Sequence, residues 1–128
     1  MAERYLIDTS AVIKYLNQTF TAKSINFIDT VLDEESNISF ISEIELQSWN
    51  PADENDLIIY QQFINASSVF SISKEIISKT IEIRRANKLK IADAIIAATA
   101  LVYNLTLIAD NDKDFTKVPT LKYINPKH

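Results

Sequence analysis

The chain has 128 residues, 47% apolar and 23% charged, with a formal net charge of −4, values that fit one soluble globular core and argue against disorder. It contains neither cysteine nor glycine, which excludes disulfides and thiolate metal sites together with the Gly-rich turns of dinucleotide sites, phosphate loops and nucleophile elbows. The only histidine is His128 at the chain end, where fraying is expected, so a Ser-His-Asp site is excluded as well.

Residues 4–7 are a short β-prone run that ends at Asp8, and Thr9 or Ser10 stands where a helix through about Leu16 needs its cap. A second helix is predicted over 22–32, with Ile25, Ile28 and Leu32 on one face. Residues 38–41 read as a strand. Ser42 then opens a short helix through Glu45 and Trp49 that Asn50-Pro51 breaks. Residues 55–64 are helical, 69–72 are a brief strand, and Ser73 caps a helix to about Ala86. The helix expected over 92–103 is apolar nearly all round, which predicts deep burial. A strand over 105–109 leads into the acidic loop Asp110-Asn111-Asp112-Lys113-Asp114, and 121–124 form the last strand. Asn87 and Asn104 stand at helix ends, where Asn is the next-best residue after Gly for a left-handed cap.

Short strands alternating with helices predict an α/β protein of three layers, α/β/α, with a mostly parallel central sheet of four to five strands. Residues 1–128 are expected to form a single domain. The longest apolar run, residues 94–103, is about half of what a bilayer requires. The opening MAERYLIDTS lacks the charged-then-apolar form of a signal peptide. A soluble, cytoplasmic protein with no membrane contact is the expectation.

Acidic residues follow the strands. Asp8 comes directly after the first, Glu45 about one helical turn after the second, and Asp110, Asp112 and Asp114 after the fourth, while Asp93 opens the buried helix. Ligands of open parallel sheets bind beyond the carboxyl ends of the strands, so four segments deliver acids to one edge. Two carboxylates about 4 Å apart repel by roughly 4 kcal/mol at an effective dielectric of about 20. Such a cluster protonates, disperses or binds a cation. Oxygen-only donors favour magnesium or manganese over zinc, and such an ion can activate water against a phosphate.

Each acid also has a plain structural explanation. Asp8 can cap the first helix, Asp93 can complement a helix dipole, Glu45 can be a solvated helix face, and Asp112 and Asp114 can form a turn and cap. Capping alone, however, does not require these residues at one sheet edge. Arg84, Arg85, Lys88 and Lys90 form a basic stretch before Asp93, either solvated surface or a set of RNA phosphate contacts. Trp49 and Phe63 read as core or dimer interface in preference to base-stacking platforms.

Four segments resemble the PIN-domain family and, within it, the VapC-type toxins of toxin–antitoxin pairs. YLIDTSAVIKYL resembles the first motif, with Asp8 as its metal-binding acid. ISFISEIEL resembles the motif that ends in Glu-Leu, which selects Glu45. LKIADAIIAATAL is the closest match and makes Asp93 the third acid. LTLIADNDKDF resembles the fourth motif, although Ala109 stands where Thr is common, and Asn111, Asp112 and Asp114 all remain as the residue that completes the cluster. The resemblance implies a magnesium- or manganese-dependent endoribonuclease, a toxin that acts on structured RNA, often transfer RNA, and stops translation. It also implies a homodimer and an antitoxin whose tail blocks the acidic pocket. Asp8 and Asp93 would bind the metal, Glu45 would bind it through water or orient the attacking water, and one of Asn111, Asp112 or Asp114 would hold the water around the ion. The alternative is a catalytically inactive PIN-like module that binds RNA or protein, which Ala109 and the acidic balance favour. A haloacid-dehalogenase-like phosphatase needs an acid where Ser10 stands, and a receiver domain needs adjacent acids near the first strand; neither pattern is met.

Overall fold

A computed structural model describes residues 3–128. Among these the order is β1 (Tyr5–Ile7), α1 (Thr9–Leu16), α2 (Ala22–Glu34), β2 (Asn37–Ser39), α3 (Phe40–Ser48), α4 (Asn55–Asn65), β3 (Ser68–Phe70), α5 (Lys74–Ala86), α6 (Ile91–Val102), β4 (Thr106–Ile108), α7 (Asp112–Phe115) and β5 (Tyr123–Ile124).

All strand pairs among the described residues are parallel. One sheet has the order β1-β4-β5, pairing Leu6 with Leu107 and Ile7 with Ile108, and β2 pairs with β3 beside it. The two are joined by a side chain: Asn37 on β2 donates through Nδ2 to the Tyr5 carbonyl of β1 at 3.0 Å. The five strands thus form the mostly parallel central layer that the alternating pattern predicts, divided three and two by backbone hydrogen bonding.

Period-two alternation in the strands builds the layers. Leu6, Leu107 and Ala109 face one core with Ile76 and Ile83 of α5 and Ala94, Ala97 and Ala98 of α6. Their neighbours Ile7 and Ile108 face the other, with Val12, Ile28, Leu46 and Tyr60 from α1 to α4. Each fully buried Leu or Ile stabilises the fold by ~1.5–3 kcal/mol. Two apolar faces per strand require helices on both sides, and an α/β/α fold of three layers results. The all-round apolar α6 is buried from Ala94 to Ala100 except for half-buried Ile95.

Several boundaries differ from the sequence reading, each for a local reason. Helix α3 begins at Phe40 because Ser39, not Ser42, is its cap, accepting from the Ile41 amide at 3.1 Å. The second strand therefore stops at Ser39. Asp8, not Thr9 or Ser10, occupies the cap position of α1. Asn104 has the expected left-handed backbone (φ 55°), as does Gln18 (φ 57°). Asn87 is extended instead, and its side-chain amide satisfies the Ile83 carbonyl at 3.1 Å.

Candidate functional site

The carboxyl ends of β1, β2 and β4 open onto one pocket of about 410 Å³, lined by Asp8, Thr9, Ser10, Ile13, Glu45, Trp49, Lys90, Ala92, Asp93, Asp110, Asn111 and Asp114. Asp8 leaves β1 with its amide bonded to the Ile108 carbonyl at 2.9 Å, which ties the first acid to β4. Glu45 projects from the second turn of α3, and Asp93 lies in the first turn of α6. Asn111 and Asp114 arrive on the loop and short helix after β4. The acids that the sequence delivers from four segments are thus neighbours around one pocket.

Asp8 does not behave as a helix cap. Its carboxylate makes no capping hydrogen bond and instead accepts from the Ser10 hydroxyl at 2.8 Å. The residue is only 6% exposed. Burial pushes its carboxyl up to about 6, the negative charges of Asp93 and Glu45 add to the rise, and the Ser10 hydroxyl works against it. Asp93 is also raised, by burial first and then by Asp114 and Glu45, while Lys90 opposes the shift. The cluster is electrostatically unfavourable as it stands.

Thr9 and Ser42 hold Glu45. Thr9 Oγ1 lies 2.6 Å from Glu45 Oε1 and 2.9 Å from Ser42 Oγ. With one proton to give, it donates to the carboxylate and receives from the buried serine. The other carboxylate oxygen of Glu45 has no protein donor among the described hydrogen bonds, and the residue lines the pocket.

The loop after β4 divides its acids. Asp114 accepts from Asn111 Nδ2 at 3.2 Å, which holds its carboxyl below the usual range, and both residues line the pocket. Asp112 is not brought there. Its carboxylate accepts from Tyr123 Oη at 2.6 Å and Asn125 Nδ2 at 3.0 Å and lies 2.9 Å from His128 Nε2, and these partners hold it down to about 2. Asp110, which the sequence reading placed at the sheet edge without a role, reaches the pocket but is paired with Lys14 and accepts from Asn125 Nδ2 at 2.9 Å; both lower its carboxyl. Asn125 and Tyr123 are therefore supporting residues that sequence reasoning missed. Their only signal was a polar pair beside an apolar strand near the end of the chain.

The basic stretch is split. Lys90 lines the acidic pocket. Arg84 and Arg85 flank a separate apolar groove formed by Ile72, Ile76, Ile77, Ile81, Ile91 and Ile95 between α5 and α6. Lys88 offers its carbonyl to Lys117 Nζ at 3.0 Å, beyond the pocket. Trp49, expected in a core or interface, is 50% exposed at the pocket's edge, and Phe63 packs half-buried against the core of α1 to α4.

Among the described residues, no three His, Cys, Asp or Glu side chains converge closely enough to hold a metal ion as they stand. The donor chemistry nevertheless fits a hard divalent cation. The pocket offers carboxylate oxygens on Asp8 and Asp93 that burial first and mutual repulsion second have raised, and magnesium commonly takes one or two carboxylates with water filling its remaining positions.

A family model described as PIN domain matches residues 5–121. Among solved structures the chain is similar to a toxin–antitoxin complex from Klebsiella pneumoniae, at 26% identity over 95% of this chain and 97% of that one, with a TM-score of 0.75. It shares its fold with VapBC2 from Rickettsia felis bound to a promoter DNA fragment (22% identity, 94% and 97% coverage, TM-score 0.79). The same holds for DNA-bound VapBC from Salmonella typhimurium (19% identity, 98% and 99% coverage, TM-score 0.79). No curated protein matches the sequence.

Proposed function

The chain belongs to the PIN-domain family, and from that premise we propose that it is a metal-dependent endoribonuclease, the toxin of a toxin–antitoxin pair. One observation carries the reading: carboxylates from four chain segments line a single pocket, and two of them, Asp8 and Asp93, are raised by burial and by neighbouring negative charge. The Klebsiella relative, described as a toxin–antitoxin complex, supports the partner.

Asp8 and Asp93 would hold magnesium or manganese. Such an ion, when bound, supplies a more acidic water and a counter-charge for phosphate. Glu45, fixed through Oε1 by Thr9, keeps its second oxygen to orient the attacking water and accept its proton. Asn111 and Asp114 hold surrounding water, and Lys90 offsets charge on the phosphate. Asp112, with its carboxylate occupied elsewhere, keeps a positioning role only. Arg84, Arg85 and Lys88 leave the immediate site and become contacts for more distant phosphates. No helix among the described residues is long and apolar enough to cross a membrane; a cytoplasmic location belongs to the toxin reading.

Purified protein should cleave RNA, transfer RNA included, with magnesium or manganese and stop with a chelator. Asp8→Asn and Asp93→Asn should abolish cleavage while leaving the fold intact by circular dichroism. Undiminished cleavage by either variant removes the assignment. An inactive binding module is the second reading, favoured by Ala109 and by the lack of a preformed three-carboxylate cage among the described residues. Calorimetric titration with manganese separates the two, because that reading requires no ion at the acids. Expression alone should slow growth, and co-expression of a cognate antitoxin should restore it. Sedimentation should report a homodimer, to which the isoleucine groove offers an apolar face.

A further inference from the structure

We propose that Trp49 is a base-stacking subsite, taking an unpaired nucleobase adjacent to the phosphate held at the acidic pocket; the proposal rests on the nuclease reading. Trp49 is the chain's only tryptophan, and it stands half exposed where its pocket neighbours are Asp8, Glu45, Asp93 and Lys90. A tryptophan ring carries more apolar surface than any other side chain, and its exposure beside polar groups marks a place where something covers it in function.

The local backbone fixes that position. Trp49 caps the end of α3, its amide bonded to the Glu45 carbonyl at 3.0 Å, and its own backbone is already extended (φ −65°, ψ 139°). Residues four apart lie on the same face of a helix, so the ring follows Glu45 along one side of α3. Asn50-Pro51 then carries the chain away, and no further turn of helix covers the ring.

Three kinds of group therefore border one cavity: carboxylates for a cation, the Lys90 ammonium for a phosphate, and an aromatic face. A nucleotide presents matching parts in that arrangement, since its base hangs from the sugar beside the phosphate, and unpaired bases are commonly stacked on aromatic side chains. An arginine from a protein partner would satisfy the acids and the ring but would meet Lys90. An apolar peptide would bring no charge for the carboxylates. Lys90 decides for the nucleotide.

The sole tryptophan makes the test direct. A short single-stranded RNA and its abasic counterpart, which keeps the backbone and lacks the base, are titrated into the full chain with calcium as a non-supporting ion for cleavage. Fluorescence reports the ring, and anisotropy of a labelled end reports binding. The base-bearing oligomer should quench Trp49 fluorescence. The abasic oligomer should bind roughly tenfold to a hundredfold more weakly and leave the signal unchanged. Trp49→Ala should weaken the normal oligomer by the same factor and erase its preference over the abasic one. Trp49→Phe, which keeps a ring, should restore most of the affinity. In cleavage assays Trp49→Ala should raise KM much more than it lowers kcat.

Equal binding of both oligomers, or binding without quenching, overturns the subsite, as does a quench produced by an arginine-rich peptide and not by RNA. Cleavage with unchanged KM in Trp49→Ala overturns it while leaving the nuclease reading intact. Base-dependent quenching in a protein that cuts nothing supports the subsite and removes the nuclease reading.

Discussion

Asp8→Asn should make the metal-free protein more stable, and the size of the gain follows from the burial of one carboxyl. Asp8 is raised from a usual value of 3.8 to about 6, chiefly by burial. At about 1.4 kcal/mol per pH unit, ionising it in the folded protein costs about 3 kcal/mol more than in the unfolded chain. Below pH 3.8 the group is protonated in both states and the penalty vanishes. Between 3.8 and about 6 the unfolded chain has released a proton that the folded protein retains, so stability falls as pH rises. Above 6 the whole penalty stands. Asparagine never ionises and still offers the Ser10 hydroxyl an acceptor. In chelator the variant should therefore exceed its parent by about 3 kcal/mol at pH 8, roughly 10 °C in Tm for a domain of this size, and match it near pH 3.5. Thermal and urea unfolding followed by circular dichroism across this range measure the difference, with every other titrating group common to both proteins. Magnesium should then raise the parent's Tm and leave the variant's unchanged. A gap that is absent at pH 8, or as large at pH 3.5 as at pH 8, refutes the electrostatic account.

Tyr60 is buried and its hydroxyl has no hydrogen-bond partner among the described residues, so Tyr60→Phe should stabilise the protein by about 1 kcal/mol; a lower urea midpoint contradicts this. Thr9→Val, close in shape, strips the donor from Glu45 and the acceptor from buried Ser42. It should cost about 1–2 kcal/mol and slow cleavage, with Thr9→Ser restoring both. Asn125 is 8% exposed and donates to both Asp110 and Asp112, so Asn125→Ala should lower stability by about 2 kcal/mol. Asn125→Asp, which sets a third carboxylate beside the first two, should lower it further, and urea titration ranks the pair.

The parts of this fold legible in the sequence were those written in periodicity and in residue order. Leu6-Ile7 and Leu107-Ile108 announce strands buried on both faces, and the acids that follow them fall at the pocket because parallel strands all end on one side. Boundaries were harder, because Ser39 and Ser42 both qualify as caps, and only the pairing of β2 with β3 decides between them. Within the acidic loop, Asp112 and Asp114 are chemically equal in one dimension. Tyr123 and Asn125, brought in by the last strand, claim Asp112 and leave Asp114 to the pocket. Long-range partners of that kind leave no trace in local pattern. For Trp49 only the core half of the core-or-interface reading fails: its residue type suggests burial, yet it is 50% exposed, and the Asn50-Pro51 break just behind it was visible and marks the place where covering structure ends.

The net charge of −4 appears at first to oppose RNA binding, which draws heavily on Lys and Arg. The distribution of that charge reverses the argument. Asp110 is answered by Lys14 and Lys127 and Asp114 by Lys117, while Asp112 is held by hydrogen bonds from Tyr123 and Asn125. Asp8, Glu45 and Asp93 take part in no salt bridge among the described residues, and they line the same pocket as Lys90. Unpaired negative charge thus borders the pocket, where a divalent ion would cancel it, and a phosphate would follow the ion in. RNA affinity should accordingly be weakest in chelator and tighten at least tenfold on adding calcium at constant ionic strength, an increase of about 1.4 kcal/mol. Asp8→Asn should flatten that response by weakening the ion site. Affinity that is the same with and without divalent ions would mean that RNA is held by the Arg84–Arg85 surface instead, and the acidic pocket would lose its claim to the substrate.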